Sequence, residues 1–302
     1  MLAALVIALL AAAPADPLPF APPIDQPLRY RQTEHRLAPD GGDLAFTLSE
    51  EVRYARDGTG YVMTIRALSA DAQAPARQKA IFEAAMRPFV GVPVRLHLSS
   101  SGDPAELIDA DAIWAQVVAA IQASADALPP SDASDHRALI ERTAHGLATM
   151  APAARDPMMK APAVALLGLG VPDLAVGESA PLAEPVETPF GPALPSTGTI
   201  RRDADRNGAR RDSRDLATSA AEAARLAAEL RTRAAHADPA LQTQIEQQAW
   251  AIEHLRLHQS GTVALSTSSG LLLASTQRTT GADPAAPNAV APTRSTRSRS
   301  RN

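Results

Sequence analysis

The sequence predicts an α+β protein: a curved, half-barrel-like antiparallel sheet with amphipathic helices packed on its apolar face. Three observations predict it. The segments LAFTLSEEVRYAR (44–56) and GYVMTIRALS (60–69) alternate in polarity and flank Asp57-Gly58, a strong hairpin signal. A second hairpin is written in GTVALSTSSGLLLASTQRT (261–279), around Ser268-Ser269-Gly270. Between them, DADAIWAQVVAAIQASADAL (109–128) carries a helical stripe of Ile113, Trp114, Val117, Val118 and Ile121.

If Asp57-Gly58 forms the turn, Tyr54 faces Tyr61, Val52 faces Met63 and Leu48 faces Ala67, all on one greasy side. The other side carries Thr47, Ser49, Glu51 and Arg53 against Val62, Thr64, Arg66 and Leu68, which suits a sheet covered on one face. Glu50 breaks the pattern, and a bulge at Glu50-Glu51 explains it better than a buried catalytic carboxylate. Upstream, PLRYRQTEHRL (27–37) adds an edge strand. A short helix over 75–89 puts Ile81, Phe82, Ala85 and Met86 on one face, and 92–109 reads as strand, turn, strand. A further helix covers 132–150.

Residues 151–199 are punctuated by Pro and Gly and read as an irregular crossover. A helical hairpin follows. Its first helix spans about 213–236, with Leu216, Ala223 and Leu230 spaced by sevens, and its second about 239–258.

Composition excludes several classes. Of 302 residues, 45% are apolar but only 3% aromatic, so the core rests on Ala, Leu and Val. A net charge of -4 gives no global pull toward nucleic acid or anionic lipid. The absence of cysteine excludes disulfides, thiolate catalysis and Cys-zinc sites. The opening MLAALVIALLAAAPADPLPF has the apolar run and small residues of a secretory signal cleaved near Ala15, which makes the protein periplasmic or secreted. The expected organisation is a signal peptide at 1–15, a Pro-rich leader at 16–26 and one α+β domain at 27–280. A disordered Arg-rich tail at 281–302 completes it.

Candidate sites are few. DADRNG (203–208) opens like an EF-type calcium loop, with Asp203, Asp205, Asn207 and Gly208 in place. Position 12, which needs a carboxylate, is Arg214, and arginines outnumber aspartates over 201–215. A solvated Asn-Gly turn is the better reading. His254 and His258 stand four apart on a predicted helix, a spacing that can place two imidazoles on one metal, but no third ligand is evident. Arg294, Arg297, Arg299 and Arg301 form a basic run able to grip an anionic polymer. GESAP (177–181) lacks the last glycine of a nucleophile elbow, and GLGVPD (168–173) lacks the third glycine of a dinucleotide loop. No cofactor is implied.

The predicted strands at 27–69, 92–108 and 261–279, with helices laid across them in an exported chain, resemble the half-barrel envelope carriers of the LolA and LolB type. The chain also resembles uncharacterised exported proteins of Gram-negative bacteria. The resemblance is one of architecture and transfers no residue. It implies a hollow for lipid or acyl chains. Independently of it, an apolar cavity between sheet and helices would have Tyr54, Tyr61, Met63, Trp114 and Leu265 as candidate lining. The expected function is non-enzymatic binding of a hydrophobic ligand in the cell envelope. The alternatives are a scaffold using the arginine tail and a metal-dependent hydrolase using His254 and His258.

Overall fold

The computed structural model describes residues 18–37, 42–126, 134–167, 171–188, 191–235, 239–282 and 295–301. Among the described residues, eleven antiparallel strands form one curved sheet that does not close into a barrel. The strands are β1 (Leu28–Leu37), β2 (Asp43–Asp57), β3 (Gly60–Gln73), β4 (Pro93–Leu98), β5 (Pro104–Ile108), β6 (Ser179–Thr188), β7 (Gly191–Arg202), β8 (Ala209–Thr218), β9 (Arg256–Ser266), β10 (Leu272–Ala282) and β11 (Ser295–Arg301). Their spatial order is β5-β4-β3-β2-β1-β11-β10-β9-β8-β7-β6. The chain therefore walks from the centre to one edge, crosses to the opposite edge, and walks back until its last strand lies beside its first. The helices are α1 (Ala76–Met86), α2 (Ala110–Asp126), α3 (Ser134–Ala148), α4 (Pro152–Leu167), α5 (Ala220–Ala234) and α6 (Pro239–His254).

The β2–β3 hairpin turns at Gly58-Thr59, not Asp57-Gly58: Asp57 pairs with Gly60, Tyr54 with Met63 and Val52 with Ile65. Gly58 alone of the two turn residues has positive φ (54°), the form in which glycine takes the first central position. Moving the turn by one residue shifts both strands together, so the expected face survives and Val52, Tyr54, Tyr61, Met63 and Ile65 are buried on it. The register slips between Ser49 and Glu50, where Leu68 of β3 is the extra residue. The irregularity thus lies next to Glu50 but on β3, not at Glu50-Glu51 of β2 as expected, and Glu50 stays buried there with a partner.

One apolar cluster joins Leu28, Val52, Met63, Leu96 and Leu107 of the sheet to Ile113 of α2 and Ala163, Leu166 and Leu167 of α4. Residues 18–25, read from sequence as part of a leader, are built into it. Leu18, Phe20 and Ile24 pack on the cluster, and Ala21 N–H donates to the Ser269 carbonyl (3.1 Å). Phe20 meets Tyr54 and Tyr61 edge-on, with centroids 6.1 and 5.2 Å apart. A smaller cluster of Val186, Leu194, Leu216, Ile252, Leu255 and Leu257 fills the space between β6–β9 and the α5–α6 hairpin. Buried Ala223, Ala227 and Ala249 line that hairpin with small side chains, and Arg231 crosses it to Glu253 (2.5 Å).

Four stretches differ from expectation. The supposed crossover at 151–199 contains α4, β6 and β7. Its prolines mislead because Pro181 and Pro185 sit on the edge strand. Pro185 pairs with Pro195, so that pair exchanges no N–H bonds and residues of the Pro181/Pro185 parity turn their missing N–H to the open edge. The helix expected over 213–236 begins only at Ala220, where Ser219 Oγ accepts from the Glu222 N–H (3.3 Å); 209–218 is strand β8. The helix expected over 239–258 stops at His254, its end carbonyls capped by Arg256, whose guanidinium donates to the carbonyls of Glu253 (2.8 Å) and Leu255 (3.0 Å). Of the expected tail, Gly281 and Ala282 finish β10, and Ser295–Arg301 form β11, paired on both sides. The signal segment 1–15, residues 283–294 and Asn302 lie outside the described residues.

A candidate ligand-binding groove under helix α4

The two apolar clusters cover the two ends of the sheet's inner face. Between them, the inner face of β8–β10 is roofed only by one edge of α4. A groove of about 480 Å³ remains, walled by Ala161 and Val164 of α4, Val263 and Leu272 of the sheet, and the polar Gln259, Ser275 and Gln277. Glu184 and Arg214 stand in its wall. A shallower depression of about 550 Å³ lies on the opposite, hydroxyl-rich face, around Ser213, Thr262 and Thr276.

Helix α4 is held by its other edge. Ala163, Leu166 and Leu167 are buried, Lys160 Nζ donates to the Ala105 carbonyl (2.7 Å), and Arg155 Nε donates to the Met150 carbonyl (2.6 Å). The Arg155 guanidinium also lies 5.6 Å over the Trp114 ring. Pro157 and Pro162 lie inside the helix, each without a backbone N–H to donate.

The connection from α4 to β6 is pinned by buried charge. Arg210 and Asp212, both of β8 and almost wholly buried, are joined by Nε (3.0 Å) and Nη2 (3.2 Å). Arg210 also donates to Asp173 (3.3 Å) and to the Pro172 carbonyl. Arg202 Nη1 donates to the Leu174 carbonyl (2.9 Å). Such a pair is tolerable only because each partner satisfies the other.

Arg214, four residues further along β8, contrasts with Arg210. Its Nη1 reaches both oxygens of Glu184 at 3.3 Å, long for a charge-assisted bond, and its buried Nε has no partner among the described residues. Across the ladder it faces Gly261, which presents no side chain. Strand β11 brings the backbone of Arg297 and Arg299 into register with Gln277 and Ser275.

The residues proposed from sequence as cavity lining are elsewhere. Tyr54, Tyr61, Met63 and Leu265 are buried together in the larger apolar cluster, closed over by Phe20. Burial pushes the Tyr54 phenol well above its ordinary pKa, and its hydroxyl has no partner among the described residues. Trp114 is buried on α2, its Nε1 donating to the Leu147 carbonyl (2.9 Å).

His254 ends α6, stacked on the Trp250 ring (4.6 Å), while His258 is on β9 and contacts Asp215 (3.0 Å). The helical spacing that suggested a metal pair is broken between them. Among the described residues, no group of three or more His, Asp or Glu could hold a metal ion. Asp203 and Asp205 accept from Arg201 (2.8 Å) and Arg202 (3.0 Å), and Asn207-Gly208 form the left-handed corner of the β7–β8 turn (φ 53° and 70°). The Asn-Gly turn reading accounts for DADRNG. Arg297, Arg299 and Arg301 belong to a strand paired on both sides, so a free basic tail gripping an anionic polymer finds no support in them; Arg294 lies outside the described residues.

Sequence reasoning missed the groove because it missed α4. The signal was present: Met159, Ala163, Leu166 and Leu167 follow the i, i+4, i+7, i+8 pattern of a one-sided helix.

No protein-family model matches the chain, and no curated protein matches it significantly. Among solved structures, the chain is similar to one described as lipid–protein interactions in lipovitellin, at 8% identity and a TM-score of 0.41. The match covers 90% of this chain and 24% of that one, so the chain spans about a quarter of its length. Among the described residues, no helix is long and apolar enough to cross a membrane.

Proposed function

We propose that this protein is a non-enzymatic binder of a hydrophobic, acyl-chain ligand, held in the groove between α4 and the inner face of β8–β10. One observation carries the reading: between the two apolar clusters the inner face keeps a partly covered space of about 480 Å³ with Val164, Val263 and Leu272 in its wall. That volume lies within the ordinary range of small-molecule sites, roughly 300–1,000 Å³. Helix α4 fits the part of a movable roof, because it carries two internal prolines and is secured along one edge. The reading places the protein outside the cytosol, in the cell envelope, on the strength of the opening apolar run and the small residues before Ala15.

The test is native mass spectrometry, with organic extraction, of protein purified from its own envelope fraction. A bound apolar molecule in sub-stoichiometric or greater amount is expected. An apo mass alone, with nothing extractable, overturns the proposal. N-terminal sequencing of the same material checks export, which requires a mature chain starting near residue 16.

A further inference from the structure

We infer that the groove selects an acyl chain ending in an anionic oxygen group, carboxylate or phosphate, and that Arg214 is the side chain that binds it. This rests on the groove being the ligand site. The inference comes from comparing two arginines on one strand. Arg210 and Arg214 lie on the same face of β8, four residues apart. Every guanidinium nitrogen of Arg210 has a partner: Nε donates to Asp212, Nη1 to Asp173 and Nη2 to the Pro172 carbonyl. Its work is structural.

Arg214 is not saturated. A guanidinium offers five donors in a rigid fork suited to two-pronged recognition of an oxyanion. Here Nη1 meets Glu184 at 3.3 Å to each oxygen, and Nε is buried with no partner among the described residues. A buried donor left open costs free energy that a bound acceptor restores. Gly261, the register neighbour on β9, leaves that flank of Arg214 without a side chain. Glu184 is partly exposed on the edge strand β6 and meets the guanidinium through Nη1 alone, as a weak competitor for it. The apolar wall of Val164, Val263 and Leu272 belongs to the same groove, so one amphiphile spans both.

Three probes of equal chain length test this by fluorescence: a long-chain polyene carboxylate, the matching alkyl phosphate and the matching primary alcohol. The intact protein should bind at least one anionic probe about tenfold or more tightly than the alcohol, in line with a charge-assisted hydrogen bond. The preferred anion tells a fatty acid from a phosphate headgroup. Arg214→Met should bring the anionic probes to the alcohol's affinity and leave the alcohol unchanged. Glu184→Gln should tighten anion binding several-fold, because it removes a competing carboxylate; this variant also serves if Arg214→Met fails to fold. Equal affinity for acid, phosphate and alcohol in the intact protein overturns the inference and leaves the binding proposal standing. So does an Arg214→Met variant that weakens all three alike or none, or an unchanged Glu184→Gln. No binding of any probe overturns both.

Discussion

The inner face of β1–β5 and that of β8–β10 belong to one sheet, and they solve the same problem differently. The first is filled with side chains: Tyr54, Met63, Leu96 and Leu98 meet α2, α4 and the strap at 18–25. The second carries Arg210, Asp212, Arg214 and Gln259 on the equivalent face and leaves space beneath α4. Alternation alone hides this contrast, since both halves have the same period. What differs is the chemistry at the inward positions. Apolar residues there close the space, and polar ones hold it open by requiring partners.

The contrast can be broken by substitution, and the effects should fall in a definite order. Asp212→Ala removes the buried partner of Arg210, leaving it only Asp173 and a carbonyl, and should cost about 3 kcal/mol in urea unfolding, while a joint Arg210→Met, Asp212→Leu change should cost far less. Met63→Ala, in the filled half, should cost about 2–5 kcal/mol, whereas Val263→Ala at the groove should cost about 1 kcal/mol or less. Gly102 has φ 92°, and a Cβ there would stand 2.6 Å from the Phe20 ring. Gly102→Ala should therefore cost about 1–2 kcal/mol, and part of that loss should vanish in a Phe20→Ala background, read as a double-mutant coupling.

The smallest effect is a pH slope. The Arg53 hydrogen bond, with help from Arg66, holds the Glu51 carboxyl below its ordinary value of 4.5. A lowered native pKa means the contribution is present at neutral pH and lost as pH falls from about 4.5 through the native value. Glu51→Gln should be less stable than the parent at pH 7, and the two should converge in acid.

Much of the sheet was legible in the sequence, for particular reasons. The face of the β2–β3 hairpin survived a misplaced turn because shifting both strands together preserves parity. The hairpin at 261–279 was legible because Gly270 supplies the left-handed residue its turn needs (φ 70°). The α5–α6 region was half legible. Leu216 fell by coincidence seven residues before Ala223, and the stripe ran through a strand and a helix without marking the join at Ser219. Strand β11 was hidden by composition. From Thr296 on, its alternation of Ser or Thr with Arg is a strand pattern, but without an apolar face it offers no burial signal of its own. The groove was least legible, since it depends on α4, whose prolines speak against a helix locally, and on a contact between β6 and β8 that no short window contains.

The order of strands has a consequence for assembly. β1 is made first and β11 last, yet they are neighbours, so the middle of the sheet is its final seam. Until that seam is sewn, β1 and β10 each show a bare row of backbone donors and acceptors, a standing invitation to other chains. Closing that seam needs the two ends of the described chain to meet, a pairing of the largest sequence separation in the sheet and therefore a slow one.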